Sequence, residues 1–214
     1  EMLERYGRDA LRYFLLREIP TFDDGDMTDE RCKEAYNAAL ANGLGNFVSR
    51  VTKMIEQYFG GTLERPAPDD LIRVSLKKKL SFFLAGQVAL EGEEGSKLET
   101  VSLAYFFDKI VWPSYERAME RYELKRAMDV VWEALGELDG YVDLYQPFHL
   151  IKTDPEKTKA VLWNLAEGAL GVAWLLKPFM PDTADAIFSS FGVDPDDTGE
   201  WKRVKINRGE ALFM

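Results

Sequence analysis

The chain contains one cysteine and one histidine in 214 residues. Cys32 has no partner for an intrachain disulfide. Cys32 and His149 together fall short of the roughly four ligands of a Cys/His zinc site, and such sparse cysteine suits the cytosol. A Ser-His-Asp triad would have to recruit His149. That residue sits between Phe148 and Leu150 with no motif around it, so it reads as an ordinary structural or surface histidine. No apolar run approaches the roughly 20 residues of a membrane span. The opening EMLERYGRDALR lacks the basic-then-apolar order of a secretory signal. Glycine-rich phosphate loops are missing too: GLG falls within a helical pattern and GG at its end, neither after a strand. The sequence therefore offers no catalytic residue, no metal ligand set and no membrane segment.

What is present is an ordinary globular balance, 46% apolar and 30% charged, with enough length for a hydrophobic core. The net charge of −10 argues against non-specific nucleic-acid binding. Local patches run against it. Residues 71–90 carry Arg73, Lys77, Lys78 and Lys79 with no acid, and the tail carries Lys202, Arg203, Lys205 and Arg208. A solvated face is the commoner role of such runs, and a phosphate-facing surface the sharper one. The chain begins without Met and its first residues have mid-helix character, which predicts a segment cut from a longer polypeptide.

Spacings of three and four dominate the chain. They predict a helix over 2–18, closed by Pro20. Thr28 is an N-cap with Asp29 and Glu30 behind it, opening a helix that runs to Phe59 and stops at Gly60-Gly61. Gly43 and Gly45 each cost roughly 1 kcal/mol in a helix interior, so a bend or break is expected near Asn42–Gly45. Further helices are expected from Asp69 to about 90, from a Ser96–Glu99 capping box to Trp112, and over Ser114–Tyr145. The loop at 91–96 joins the first two of these. An apolar helix opened by Asp154-Pro155 and a short one from Pro181 to Gly192 follow, with an extended tail from Trp201. Trp112, Trp132, Trp163 and Trp174 read as core. With no βαβ alternation, the fold class is all-α, a bundle of about five long helices.

One stripe does not fit a plain core helix. Stepping by three and four gives Ala39, Gly43, Asn46, Arg50, Lys53 and Gln57 beside the core positions Leu44, Phe47, Val48, Val51 and Ile55. Asparagine offers a donor and an acceptor, and arginine a planar donor fork; both suit the edges of nucleic-acid bases. On periodicity alone a solvent-facing stripe is the more ordinary reading.

The same residues sit inside longer motifs. YGRDALRYFLLREIPTFDDGDMTDERCKEAYNAALANGLGNFVSR resembles the segment that follows the catalytic domain of methionyl-tRNA synthetases. There the pattern is close to Y-G-A-D-A-L-R-Y-x-L-L-R-E, then D-G-D-F-S, then Y-N-x-D-L-A-N-D-L-G-N-L-x-x-R. YVDLYQPFHLIK is similar to that family's Y-I-D-x-x-K-P-W-x-L-A-K, and VLWNLAEGALGVAWLLKPFMPDTADAIFSSFG to its closing helix and P-F-M-P-x-T-A motif. The resemblance is thin from about 62 to 112. It implies an α-helical anticodon-binding domain over 28–214, preceded over 1–27 by the end of the stem-contact region. It implies that Asn46 and Arg50 contact bases of the CAU anticodon of tRNA(Met), and that Phe148 is the stacking platform where the family has tryptophan. Ala39 and Gly43 stand where the family has aspartates, and Arg8 where it has alanine. The ATP-handling H-I-G-H and K-M-S-K-S motifs are not in this sequence. The resemblance therefore places methionine activation, with its ATP and magnesium, in an upstream catalytic domain of a cytoplasmic parent enzyme. Two other functions compete: a synthetase-like bundle that now serves protein assembly, and the same domain of a different class I synthetase.

Overall fold

Proline, glycine and capping side chains punctuate the helices much as the periodicity requires. The computed structural model describes residues 2–20, 23–66, 73–75, 100–196, 201–207 and 212–213. Helix α1 (Met2–Tyr13) leaves helical geometry at Gly7 (φ 80°, ψ 169°) and continues as a wider, π-helical turn over Phe14–Glu18. That kink leaves Leu3 exposed, although it fits the apolar spacing. Helix α2 (Asp29–Ala35) is capped as expected: the Thr28 hydroxyl accepts from the Arg31 amide at 3.3 Å. A π-helical stretch, Tyr36–Gly45, then leads into α3 (Asn46–Phe59), which ends at left-handed Gly60.

Near Asn42–Gly45, where a bend or break is expected, the helix is irregular but does not end. The helix instead widens, so the Asn46 amide donates to the Ala41 carbonyl five residues back. Inserting one residue per turn absorbs the weak helix formers without ending the helix. Strand β1 (Thr62–Glu64) follows. Strands β2 (Arg73–Ser75) and β3 (Thr100–Ser102) pair antiparallel, which corrects the helices predicted across those two triplets. The remainder of the 69–90 prediction, the loop at 91–96 and the capping box lie outside the described residues. Helix α4 (Leu103–Phe106) and a π-helical turn over Phe107–Val111 lead to α5 (Trp112–Glu120), with Pro113 in its first turn.

The helix predicted over Ser114–Tyr145 is two helices. Tyr122 takes the left-handed conformation (φ 59°). The Glu123 amide donates to Ala118 and the Tyr122 amide to Met119, the bonding of a glycine-type helix stop with tyrosine in the glycine slot. Periodicity could not show this, because the residue that usually marks such a stop is absent. Helix α6 (Leu124–Tyr145) restarts at once, followed by α7 (Pro147–Leu150), α8 (Pro155–Leu176) and α9 (Pro181–Phe191).

Helix α8 lies in the middle, as its all-round apolarity predicts: Leu162, Trp163, Leu165, Ala169, Val172 and Leu176 are all buried. Its Asn164 satisfies its amide by donating to the Tyr141 hydroxyl of α6 at 2.9 Å. Helices α3, α6 and α9 pack on it. The extended tail forms β4 (Arg203–Lys205), paired antiparallel to β1 with Leu63 opposite Val204, both buried. The outward neighbours pair Glu64 with Arg203 and Thr62 with Lys205. The architecture is thus an all-α bundle with two small antiparallel strand pairs among the described residues.

The first and last helices are fastened at one point. Buried Asp9 of α1 accepts from the Thr183 amide in the first turn of α9 at 2.7 Å, supplying a cap from another element. Beside it, Arg8 pairs with Asp182 through two guanidinium nitrogens. Arg8, which departs from the family pattern, thus has a structural partner.

Candidate nucleic-acid interface

The polar stripe is where helical spacing places it. Asn46, Lys53 and Gln57 are exposed and Ala39, Gly43 and Arg50 half-buried, while Leu44, Phe47, Val48, Val51 and Ile55 face the core. Asn46 occupies the first turn of α3, at the junction with the π-helical stretch. Gly45 does not open this face to a ligand. A Cβ there would come within 3.1 Å of the Leu40 carbonyl oxygen and of the Phe213 ring. The missing side chain makes room for the chain's own tail, whose Phe213 also packs edge-on to Tyr36.

Arg50 turns the other way, toward α6. Its Nη1 lies 3.4 Å from Oδ1 of Asp139, and both side chains are more than a third exposed. Burial raises the Asp139 pKa above the ordinary carboxylate value; Arg50 opposes that shift and Asp143, one turn further on, adds to it. A charge is therefore held here at some cost.

Phe148 is presented by a short, well-braced corner. Gln146 adopts a left-handed conformation (φ 43°) that ends α6, and Pro147 opens α7 with its own ring buried. The Leu150 and Ile151 amides donate back to Gln146 and Pro147, and the Asp154 amide to Leu150. Asp154 then caps α8 through the Lys157 amide at 3.0 Å. The Phe148 ring is left 43% exposed, with exposed His149 tilted beside it at a centroid distance of 4.6 Å. An open aromatic face on a braced turn suits stacking with an unpaired base.

The structure thus places all three residues on accessible surface. It links two of them through α6, since Arg50 pairs with a residue of the helix whose end carries Phe148. Asn46 instead borders an open groove of about 640 Å³ between α3 and the C-terminal tail. Asn42, Ser49, Thr52 and Lys53 line its α3 side, and Ile206, Asn207 and Phe213 its tail side. Neither Arg50 nor Phe148 lines it. Lys202, Arg203 and Lys205 are exposed on and beside β4; Arg208 and residues 77–79 lie outside the described residues.

Asp139 went unread in the sequence. It falls among the buried positions Leu135, Leu138 and Val142 of α6, and an acid on that side of an apolar stripe is the signal that could have found it. The tryptophans divide: Trp163 is buried and Trp132 and Trp174 are half-buried, but Trp112 is 49% exposed, because the π-helical turn before α5 rotates it off the core. Among the described residues, no group of three or more His, Cys, Asp or Glu side chains could hold a metal ion, and no helix is long and apolar enough to cross a membrane.

Known proteins resemble the chain over its whole length. The family described as "Anticodon binding domain of methionyl tRNA ligase" matches residues 91–211. That described as "tRNA synthetases class I (M)" matches residues 1–52, the stretch containing Asn46 and Arg50. The methionine–tRNA ligase of Caldanaerobacter subterraneus subsp. tengcongensis is 31% identical over 224 residues, covering 100% of this chain and 31% of that protein. The enzyme of Bacillus subtilis is 32% identical, covering 99% and 30%. The chain therefore spans about a third of the length of these curated relatives. The solved structure of free-state Mycobacterium tuberculosis methionyl-tRNA synthetase superposes with a TM-score of 0.75 at 22% identity, covering 100% of this chain and 40% of that one. At that identity the likeness speaks for the helical fold.

Proposed function

Because the chain belongs to the family of methionyl-tRNA ligase anticodon-binding domains, we propose that it reads the CAU anticodon loop of tRNA(Met) for a methionine–tRNA ligase. Asn46 and Arg50 supply hydrogen bonds to unstacked bases, and Phe148 stacks on one of them. Residues 1–27 end the stem-contact region and 28–214 form the reading bundle. Methionine activation with ATP and magnesium belongs to an upstream catalytic domain of the same cytoplasmic protein, since this sequence contains neither ATP-handling motif.

The observation that supports this reading best is the surface made by α3 and the end of α6. Among their residues are an exposed amide (Asn46), a half-buried guanidinium (Arg50) and, just after α6, an open aromatic ring (Phe148), the kinds of group by which single-stranded loops are recognised. Basic residues outside the three contacts track phosphate, while base contacts carry the specificity.

The test is binding of short RNA hairpins by the full-length protein. A CAU loop should bind more tightly than a loop with one of those bases changed, and Asn46→Ala or Arg50→Ala should erase the difference. Affinity should fall as salt rises, because phosphate contacts release counterions. Equal affinity for both loops would refute anticodon reading. Intact tRNA charging by the Asn46→Ala, Arg50→Ala double variant would favour an assembly role instead.

A further inference from the structure

Asp139 holds Arg50 in place, an inference that rests on the anticodon-reading role of Arg50. Arg50 has a flexible side chain with five donors, and a free guanidinium would lose much freedom on binding a base. Among the described residues, Asp139 is its one charged partner, through Nη1 at 3.4 Å. The remainder of the fork is left for a ligand. The carboxylate is itself held by a rigid element. Its neighbours Leu135, Leu138 and Val142 on α6 are buried, and α6 packs on the central α8. One corner of the guanidinium is therefore anchored to the core, and its other donors have no charged partner among the described residues. Burial and the nearby Asp143 also make the charged form of Asp139 unfavourable.

We propose that Asp139 is a positioning residue that pre-orients Arg50 for base contact. The carboxylate accepts from Nη1 and so limits the rotamers of Arg50 before RNA arrives. The contact needs an acceptor oxygen more than a full charge. Neutral asparagine of the same shape should therefore substitute for it, whereas alanine should not.

Hairpin binding by the full-length protein with a CAU loop tests this through a double-mutant cycle. Asp139→Ala should weaken binding about fivefold, on the order of 1 kcal/mol. Asp139→Asn should retain at least half of the wild-type affinity. In an Arg50→Ala background, Asp139→Ala should have no further effect. A merely structural role would give additive losses, and additivity overturns the proposal. Tighter binding by Asp139→Ala also overturns it, since the acid would then only repel RNA. If Arg50→Ala and Asn46→Ala both leave CAU binding unchanged, the anticodon-reading function fails and this proposal with it. If they weaken binding while Asp139→Ala does not, the reading stands and only the positioning role is lost.

Discussion

Helix α6 receives two arginines from the N-terminal third of the chain, and they meet very different surroundings. Near its start, Arg17 donates to Asp129 at 3.0 Å and lies over the Trp132 ring at 5.0 Å. It also donates to the Tyr13 hydroxyl, and Lys125 caps its carbonyl. Ten residues further on, Arg50 meets Asp139 at 3.4 Å, and among the described residues it has no second charged partner and no ring over it. The side chain of Arg17 is 22% exposed and that of Arg50 38%. The same pair of side chains thus serves as a fastener in one place and as an available donor in the other. What separates them is desolvation and the number of partners, not residue type. A guanidinium saturated by a ring, a carboxylate and a hydroxyl has little left to offer a ligand. One held at a single corner has most of its fork free.

Breaking the first pair should have the largest effect. Arg17→Ala leaves Asp129 half-buried without its partner and removes the cover of Trp132, and should cost about 3 kcal/mol of stability. Thermal melting would show a fall of roughly 6–12 °C for a chain of this size. A loss below about 1 kcal/mol would mean that the two sites are not as different as their surroundings imply.

Arg50→Ala should do the opposite. Its stability should change by less than about 0.5 kcal/mol, as for an exposed ion pair, while affinity for a CAU hairpin should fall by about 2 kcal/mol. Melting and RNA titration of the same preparation would separate the two effects. Next comes Phe148→Ala, which should weaken hairpin binding by about 1 kcal/mol, the lower end of base stacking on an aromatic side chain. Phe148→Trp should strengthen it, because the larger face returns.

The smallest effect is the pH response of Asp139→Asn. The folded pKa of Asp139 is raised by burial and by Asp143 against the opposing pull of Arg50. The folded chain therefore binds this proton more readily than the unfolded chain. The favourable contribution is present below the ordinary carboxylate range and is lost as pH rises through the raised value. Asp139→Asn should thus give a small rise in melting temperature at neutral pH that vanishes in acid. A fall at neutral pH would place the ion pair among the stabilising contacts, beside that of Arg17.

Much of this contrast could not be read in advance. Arg17 stands four residues after Tyr13 in the first predicted helix, a spacing that puts both on one face. Asp129 and Asp139, however, are 112 and 89 residues from their partners, beyond any local pattern. The α3 stripe was legible because a buried face and a polar face alternate every three to four residues. The surface around Asn46 was not, because Gly45 and Phe213 meet only after the tail has folded back. Predictions failed where local rules gave no mark: Tyr122 adopts a left-handed turn without glycine, and the strands at 73–75 and 100–102 are fixed by pairing with each other.

The sequence by itself determined the class of fold, the caps at Thr28 and Asp154, the helix start at Pro181, the burial of α8 and the polar face of α3. Each follows from the spacing of apolar residues and from backbone chemistry within a few positions. Only the tertiary structure decided that the glycines would widen a helix rather than break it. It also decided that Phe148 would stand open at the end of α6, and that Arg50 would meet a single acid while Arg17 met a full set of partners. Those outcomes depend on which distant side chains share a surface, and packing, not periodicity, brings such surfaces together.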